Sequence, residues 1–260
     1  MTAAIEAIHL RKTFGPVVAV DNVDITVASG QTVALLGGNG AGKTTTISML
    51  LGLLLPSAGR ITILGHDLAR SRYAVMARMN FSSPYVELPH RLTVAQNLRV
   101  YADLYGVADA AERVAELAER LDLTQFLDRP SGKLSAGQKT RLALAKSLIN
   151  HPEVLLLDEP TASLDPDTGD WVRGYLEQYR AETGASMLIA SHNMSEVERL
   201  CDHVLMMRAG RIVDQDAPAA LLARYGRQTL EDVFLDIARD RRSAAAPAGT
   251  PDSAGEQAAQ

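Results

Sequence analysis

Residues 35–45 read Leu-Leu-Gly-Gly-Asn-Gly-Ala-Gly-Lys-Thr-Thr, and this stretch decides the fold. It matches the pattern G-x-x-x-x-G-K-[ST], whose four fixed positions are filled by Gly37, Gly42, Lys43 and Thr44. An apolar strand is predicted before it over 32–36, and a helix after it over 44–54. In that setting the glycines let backbone N–H groups converge on a polyphosphate at the positive N-terminal end of the helix. The stretch therefore predicts a nucleoside triphosphate site rather than an ordinary glycine-rich turn.

Two side chains of this stretch have predicted chemical roles. The Lys43 amine can neutralise charge on the outer phosphates, and the Thr44 hydroxyl can ligate Mg²⁺. We therefore expect ATP-type chemistry that needs both a triphosphate and Mg²⁺.

Composition narrows the class of protein. The chain has 260 residues, of which 47% are apolar, so it can bury a sizeable core. Its net charge of −5 offers no general attraction for nucleic acid. One cysteine, Cys201, allows no internal disulfide and suits a reducing cytosol, and the N-terminus lacks the pattern of a signal peptide. The longest apolar run, 49–55, is far shorter than the ~20 residues of a membrane span. We expect a soluble, cytosolic chain whose membrane role, if any, comes through a partner.

The segment before the phosphate loop predicts strands. Apolar residues alternate with polar ones over 22–27, and Ser29-Gly30 forms a turn into the next strand. Phe14-Gly15 is expected in an early loop. Two interpretations of Phe14 stay open on the residues alone: an aromatic packed on a small sheet, or a ring stacked on an adenine base.

After a further strand over 60–65, the pattern from about 79 to 150 indicates helices. Thr93 and Gln96 form a capping box that opens one helix, which ends near Gly106. A second helix places its apolar residues on one face and its charged residues outside. This block is interpreted as a helical lobe inserted in an α/β core.

Residues 133–141 of that block read Lys-Leu-Ser-Ala-Gly-Gln-Lys-Thr-Arg. Ser135 and Gln138 form a second capping box, which opens a helix that runs to about Ile149. Gly137 beside a helix start is also compatible with an anion site. On the residues alone the simpler interpretation, a well-capped helix, is favoured.

Residues 153–160 read Glu-Val-Leu-Leu-Leu-Asp-Glu-Pro, which predicts a buried parallel strand that ends in two carboxylates. Adjacent carboxylates at a buried strand end are costly unless they are used. Asp158 suits an Mg²⁺ site, reached through water or Thr44, and Glu159 suits a base for the attacking water.

The remaining pattern predicts another strand over 186–191 that delivers His192 to the same edge, where it can sense the terminal phosphate. Asp165-Pro166 opens a helix whose aromatic residues are expected in the core. Two strands follow over 204–207 and 211–213, and 217–240 is predicted to be helical. From residue 242 the composition predicts a disordered tail.

In their order and spacing these motifs resemble the nucleotide-binding subunit of ABC transporters, over about residues 4–235. The resemblance implies an α/β fold: a P-loop NTPase core with an antiparallel β subdomain and an inserted α-helical subdomain. It implies one ABC ATPase domain over 1–240. The parts of this domain are the core and β subdomain (about 1–78 and 151–215), the helical lobe (about 79–150) and the C-terminal helices (about 217–240), and a disordered tail over 241–260 is expected to follow it.

The resemblance also implies a role for each motif residue. Phe14 is similar to the aromatic that stacks on adenine, Glu159 to the catalytic glutamate and His192 to the switch histidine, while residues 163–165 resemble the loop that contacts the second subunit. Leu134 to Gln138 resembles the signature sequence, with Ala136 in place of the commoner glycine, which reverses the preference for a simple helix cap. The residues expected to bind ATP are Phe14, Gly37, Asn39, Gly40, Ala41, Gly42, Lys43, Thr44, Thr45, Ser135, Gly137 and Gln138; those expected to act in hydrolysis are Lys43, Glu159 and His192; those expected at Mg²⁺ are Thr44, Asp158 and Ser82.

In this family two subunits pack head to tail, and each ATP lies between the phosphate loop of one and the signature helix of the other. We therefore expect a homodimer, or a heterodimer with a second ATPase subunit, that closes on ATP. The expected partner is an integral membrane permease, contacted by residues 85–92 at the cytoplasmic face of the cell membrane. The short chain, the sequence Thr-Leu-Glu-Asp-Val-Phe over 229–234 and the bare tail resemble exporters with separate membrane chains.

One position departs from the family pattern. Where a glutamine usually reaches Mg²⁺ and the lytic water, this chain has Ser82 and Ser83. A serine reaches less far, so hydrolysis is expected to be slower or differently coupled.

Two other classes of protein share part of the pattern. A soluble ABC-type ATPase acting on ribosomes or DNA would bring two nucleotide-binding units, a long coiled coil or a basic face, and the sequence has none of these. A small-molecule P-loop kinase would share residues 37–45 but would not need Leu-Ser-x-Gly-Gln.

Overall fold

The phosphate loop leaves the carboxyl end of a central strand in a six-stranded sheet. The computed structural model describes residues 2–83, 86–162 and 164–239. The strand order of this sheet is β10-β9-β3-β8-β7-β6, in which only the β9–β10 pair is antiparallel. Its strands are β3 (Thr32–Leu36), β6 (Met79–Ser82), β7 (Val154–Asp158), β8 (Ser186–Ser191), β9 (His203–Arg208) and β10 (Arg211–Asp216).

A second sheet is antiparallel and has the order β2-β1-β4-β5. Its strands are β1 (Ala3–Phe14), β2 (Val17–Ala28), β4 (Ala58–Ile63) and β5 (His66–Asp67). The helices of the described residues are α1 (Lys43–Leu50), α2 (Arg72–Met76), α3 (Val94–Leu104), α4 (Ala110–Arg120), α5 (Ala136–Leu148), α6 (Pro166–Thr183), α7 (Met194–Leu200), α8 (Pro218–Tyr225) and α9 (Leu230–Ala238).

The six-stranded sheet separates two hydrophobic clusters. In β3, Ala34 and Leu36 belong to the cluster that contains α3, α4, α5 and α6, whereas Val33 and Leu35 belong to the cluster that contains α1 and the antiparallel sheet. The side chains of a strand point alternately to its two faces. Because both faces of this sheet are covered, every residue of β3 is buried. The phosphate-loop helix and the helical block thus lie on opposite faces of one sheet.

Several predicted boundaries agree with the structure because local signals set them. The strands over 32–36 and 186–191 have the predicted bounds. Both capping boxes form: Thr93 Oγ1 accepts from Gln96 N at 3.2 Å, and Ser135 Oγ accepts from Gln138 N at 3.3 Å. Asp165 caps α6 at the predicted start.

Four predicted elements need correction. The helix after the phosphate loop ends at Leu50 instead of residue 54, since the chain turns at Gly52 with a φ of +63°. Residues 79–82, expected to begin the helical block, form strand β6 and pair in parallel with β7. Phe14, expected in a loop, ends strand β1 opposite Val17. The helix predicted over 217–240 is two helices, because Gly226 ends α8 in the left-handed conformation.

Parts of some predictions lie outside the described residues: Ser163 of the 163–165 loop, Tyr85 of the 85–92 surface, and the tail over 241–260. Within the described ranges, no helix combines the length and apolar character needed to cross a bilayer.

Candidate nucleotide-binding site

The phosphate loop is shaped by two glycines that no larger residue can replace without a shift of the backbone. A Cβ on Gly37 would lie 2.5 Å from the carbonyl oxygen of Met207 in β9. Gly42 has a φ of +110°, and a Cβ there would lie 2.7 Å from the carbonyl oxygen of Ala19 in β2. The loop is also bonded to the β9–β10 turn, where Gly210 N donates to Ala41 O at 2.9 Å.

Helix α1 begins without a side-chain cap. Its N-cap residue is Gly42, which leaves the first backbone N–H groups to a ligand, and no acidic side chain lies in the first turn. Lys43 is 8% exposed, and its Nζ donates to Gly37 O at 2.6 Å and to Gly38 O at 3.4 Å. The carbonyl oxygens of Gly37 and Gly38 therefore hold the Lys43 ammonium group inside the loop, where the phosphate oxygens of a ligand would bind. The exposed residues of the same stretch are Asn39, Gly40 and Thr44, and Thr45 is half-buried.

Asp158 and Glu159 stand at the carboxyl end of β7, the strand next to β8, which itself pairs with β3. Asp158 is buried, and burial together with the neighbouring Glu159 raises its pKa, whereas Lys43 lowers it. The structure thus brings the Lys43 amine and the Asp158 carboxyl within electrostatic reach of each other.

Glu159 is held in an uncommon backbone conformation, with a φ of +52° and its N–H donating to Ala190 O at 2.8 Å. This turn directs its carboxyl to His192, which follows β8: Glu159 Oε1 and His192 Nδ1 are 2.7 Å apart. The carboxyl is almost covered, while the imidazole remains largely exposed. The two predicted residues therefore form a pair at the edge where the phosphate loop opens.

The donor set suits Mg²⁺ bound with a nucleotide rather than a metal held by protein alone. In the described residues, no cluster of three His, Cys, Asp or Glu side chains could hold a metal ion. Mg²⁺ commonly takes one or two protein oxygens together with phosphate oxygens and water. The exposed Thr44 hydroxyl and the Asp158 carboxyl fit that demand. Ser82 ends β6 in register with Leu157, so it lies at the same sheet edge, half-buried.

Phe14 lies at the tip of the β1–β2 hairpin, where it pairs with Val17. Its ring is 49% exposed, and Lys12 Nζ is 5.2 Å from the ring centroid. The second strand of this hairpin, β2, approaches the phosphate loop, since Ala19 O lies 2.7 Å from the position of a Cβ on Gly42. The stacking of Phe14 on a base stays a prediction.

The predicted signature residues lie at another part of the sheet. Helix α5 is bonded to β6, since Lys146 Nζ donates to Phe81 O at 2.6 Å, and a Cβ on Gly137 would contact Thr168 at the start of α6. The phosphate loop is bonded to the β9–β10 turn. In the strand order, β9 is separated from β6 by β3, β8 and β7. Gly137 therefore lies against α6, Ser135 and Gln138 are bonded to each other in the cap, and the phosphate loop contacts β2 and β9.

Two polar residues beside the Glu159–His192 pair were not predicted from the sequence. Thr161 follows Glu159 after one residue, and its Oγ1 donates to Glu196 Oε1 at 2.9 Å. Glu196 is fully buried on α7. Glu196 sits on a short polar helix, where sequence alone indicates an exposed carboxylate; only the convergence of three chain segments buries it.

Comparisons with known proteins agree on one family. A family model described as ABC transporter matches residues 20–162. The Nod factor export ATP-binding protein I of Cupriavidus metallidurans is 37% identical over 224 residues, which cover 85% of this chain and 74% of that protein. The probable multidrug ABC transporter ATP-binding protein YbhF of Escherichia coli is 34% identical over 91% of this chain and 42% of its own length. A solved ATP-binding subunit of an ABC transporter superposes with a TM-score of 0.83 at 26% identity, covering 91% of this chain and all of that one.

Proposed function

The chain belongs to the ABC transporter family of ATP-binding proteins, and on that premise we propose that it is the ATP-hydrolysing motor subunit of an exporter whose permease is a separate membrane chain. One observation carries the proposal: the uncapped loop-and-helix start at Gly42 and the Glu159–His192 pair share one sheet edge, while the helix start at Ser135 has its contacts elsewhere. A second copy could bring that helix start to the nucleotide.

Hydrolysis is assigned to this chain's own side chains. Backbone N–H groups of residues 37–45 and the Lys43 amine bind the phosphates, and Thr44 with Asp158 would hold Mg²⁺, which neutralises phosphate charge when bound. Glu159 orients the attacking water and accepts its proton. His192 lies 2.7 Å from Glu159, and we assign to it the contact with the terminal phosphate.

The separation of the two helix starts supports ATP-driven closure of two copies. The N-terminus of α5 would approach the nucleotide of the partner copy, adding N–H groups and the positive end of a second helix to the triphosphate. Asp165, which caps α6, would contact the partner in the same interface. Either an identical copy or a second ATPase subunit meets this requirement.

The export direction is supported by the relatives, since two of them are named as export or multidrug ATP-binding proteins. The permease surface is assigned to residues 86–92 and the adjoining face of α5. Val86, Leu88 and His90 line a cavity of about 240 Å³ together with Lys139 and Ala143. The apolar lining would bind a short segment of the membrane chain, and the subunit would then work at the cytoplasmic face of the cell membrane.

The decisive experiment measures ATP-dependent dimerisation. Glu159→Gln should bind ATP without turning it over, so light scattering should show a monomer without ATP and a dimer with ATP and Mg²⁺. The unmutated protein should hydrolyse ATP, and the exposed α4 variant Glu119→Gln should behave like it. If Glu159→Gln binds ATP and stays monomeric, the homodimer is wrong, and mixing with a second ATPase chain decides between a heterodimer and the loss of the motor model.

Two further readouts separate the motor from the other classes. Copurification with an integral membrane protein supports the motor and contradicts both a soluble ABC-type ATPase and a kinase. Transfer of the γ-phosphate to a small molecule instead of water would indicate the kinase.

A further inference from the structure

Glu196 is a buried carboxyl for which the proposed function has no role. It lies in the first turn of α7 with no exposed surface, although Ser195 and Glu198 on the same helix are exposed. Its Oε2 has no hydrogen-bond partner among the described residues. A buried, partly unpaired carboxyl is costly to keep, so the position calls for a reason beyond packing.

The contacts of Glu196 join the two loops of the catalytic pair. Thr161 Oγ1, on the loop that follows Glu159, donates to Glu196 Oε1 at 2.9 Å. Ser191, the residue before His192, lies against the same carboxyl and helps to stabilise its charged form. Ser191 Oγ also accepts from Asn193 N at 3.0 Å, so it fixes the backbone on the far side of His192.

The surroundings of Glu196 raise the pKa of its carboxyl. Burial raises its pKa, and the Glu159 carboxyl on the adjacent loop raises it further, whereas Thr161, Ser191 and Arg173 of α6 lower it. The Cys201 thiol after α7, the other titratable neighbour, has its own pKa raised by burial and by Glu196.

We propose that Glu196 is a positioning residue for ATP hydrolysis: its carboxyl ties the loop that follows Glu159 to the strand end that precedes His192, and so fixes the 2.7 Å contact between those two side chains. The assignment rests on the proposed function, because Glu196 has a catalytic consequence only if Glu159 and His192 act on ATP. Because its side chain is fully covered, Glu196 acts through the pair.

Substitutions should therefore split kcat from nucleotide affinity. In Glu196→Ala the two loops lose their link, and kcat should fall roughly 10- to 100-fold, as expected for a misplaced catalytic group, with an unchanged Kd for a fluorescent ATP analogue. Glu196→Gln resembles the protonated acid and keeps an acceptor for Thr161, so its kcat should stay close to that of the unmutated protein. As the pH rises through the raised pKa of Glu196, the unmutated protein should lose activity because the carboxyl ionises beside Glu159, and Glu196→Gln should not.

A second pair of variants guards against a failure of Glu196→Ala to fold. Thr161→Val removes the donor at similar volume and should reproduce the loss of kcat, whereas Thr161→Ser restores the hydroxyl and should restore the rate. Glu119→Gln on α4 serves as the matched exposed control.

A spectroscopic readout makes the test independent of turnover. The imidazole ¹⁵N shifts of His192, assigned with His192→Gln, report its contact with Glu159. We expect these shifts to change in Glu159→Gln, and to change in the same direction in Glu196→Ala and Thr161→Val. They should remain unchanged in Glu196→Gln and Thr161→Ser. Unchanged shifts and kcat in a folded Glu196→Ala would overturn the assignment, as would a Glu196→Gln as impaired as Glu196→Ala. An unmutated protein without ATPase activity would contradict the proposed function alone, since the shifts still decide the role of Glu196.

Discussion

Two helix starts in this chain fit an anion site by sequence, and the structure prepares them differently. Helix α1 begins at Gly42 with no side-chain cap, and Lys43 rests on loop carbonyl oxygens. Helix α5 begins at Ser135, whose backbone N–H and side chain are both bonded to Gln138. The first start is left open for a ligand, whereas the second already has one of its backbone N–H groups, that of Gln138, bonded within the chain. In the proposed dimer, the uncapped start would bind this chain's own nucleotide, and the capped start would meet the nucleotide of the partner copy.

The largest effect should come from filling the open start. In Gly42→Ala the new Cβ meets Ala19 O at 2.7 Å with φ at +110°, so the loop must change shape at a cost of about 1–3 kcal/mol. ATP should then give no rise in the temperature of thermal unfolding. Gly137→Ala is the matched variant: its Cβ would be 3.3 Å from Thr168 Oγ1 in a helix, so stability should change by less than ~1 kcal/mol and the ATP-induced rise should remain. Equal loss of the rise in both variants would contradict the difference between the two starts.

A smaller effect should come from removing a cap. Ser135→Ala and Thr93→Ala delete the same capping box from α5 and α3, so each should lower the free energy of unfolding by about 1 kcal/mol. In a Glu159→Gln background, only Ser135→Ala should weaken ATP-dependent dimerisation by light scattering. Thr93→Ala weakening it equally would mean that dimerisation follows stability and not the α5 start.

The smallest effect should come from Ser82→Gln. Ser82 is half-buried at the end of β6, and a glutamine there would reach further towards Asp158 and the lytic water. ATP turnover should rise a few-fold with unchanged nucleotide affinity. Ser83 is 6% exposed, so Ser83→Gln should mainly lower the unfolding temperature and serves as the comparison. Unchanged turnover in Ser82→Gln would show that the departure from the family pattern has no consequence.

The pH dependence of stability tests the environment of Glu196 by a separate route. Because burial raises the pKa of Glu196 in the folded protein, the folded state retains its proton at pH values where the unfolded chain has lost it. Stability from this group is therefore fully present below the unfolded pKa and declines as pH rises towards the folded pKa. Relative to Glu196→Gln, the unmutated protein should lose free energy of unfolding in denaturant titrations as the pH rises from the unfolded pKa of this carboxyl towards its raised folded pKa. A constant difference between the two proteins across that range would contradict a raised pKa.

The fold was predictable wherever a local signal marks an element. Strand β3 and the capped helices follow from an apolar run, a serine or threonine, and a glutamine three residues on. Strand β6 was not predictable in this way, because four residues gain their strand conformation from pairing with β7, more than seventy positions away. The break at Gly226 had a local signal, a glycine at a helix end, which the apolar pattern around it outweighed.

Residues of the candidate site could be predicted where they stand at the end of a strand, and could not be predicted where only tertiary contacts place them. The phosphate loop, Asp158, Glu159 and His192 each follow a strand, so their meeting at one edge could be expected from parallel topology. The sequence left the role of Phe14 open, since its position at the tip of a hairpin depends on the pairing of β1 with β2. Glu196 gave no signal, because its burial depends on Thr161 and Ser191 arriving from two other segments.

The single cysteine of the chain makes the proposed closure convenient to observe. Cys201 is 8% exposed, and burial raises the pKa of its thiol, so it is both covered and protonated. Such a thiol reacts slowly with maleimide reagents. A new cysteine at exposed Glu119 would then be the one site that takes up a dye, without any prior removal of the native residue. Donor and acceptor dyes on two copies would turn ATP-driven closure into a change of fluorescence energy transfer, measured in real time on the otherwise natural protein.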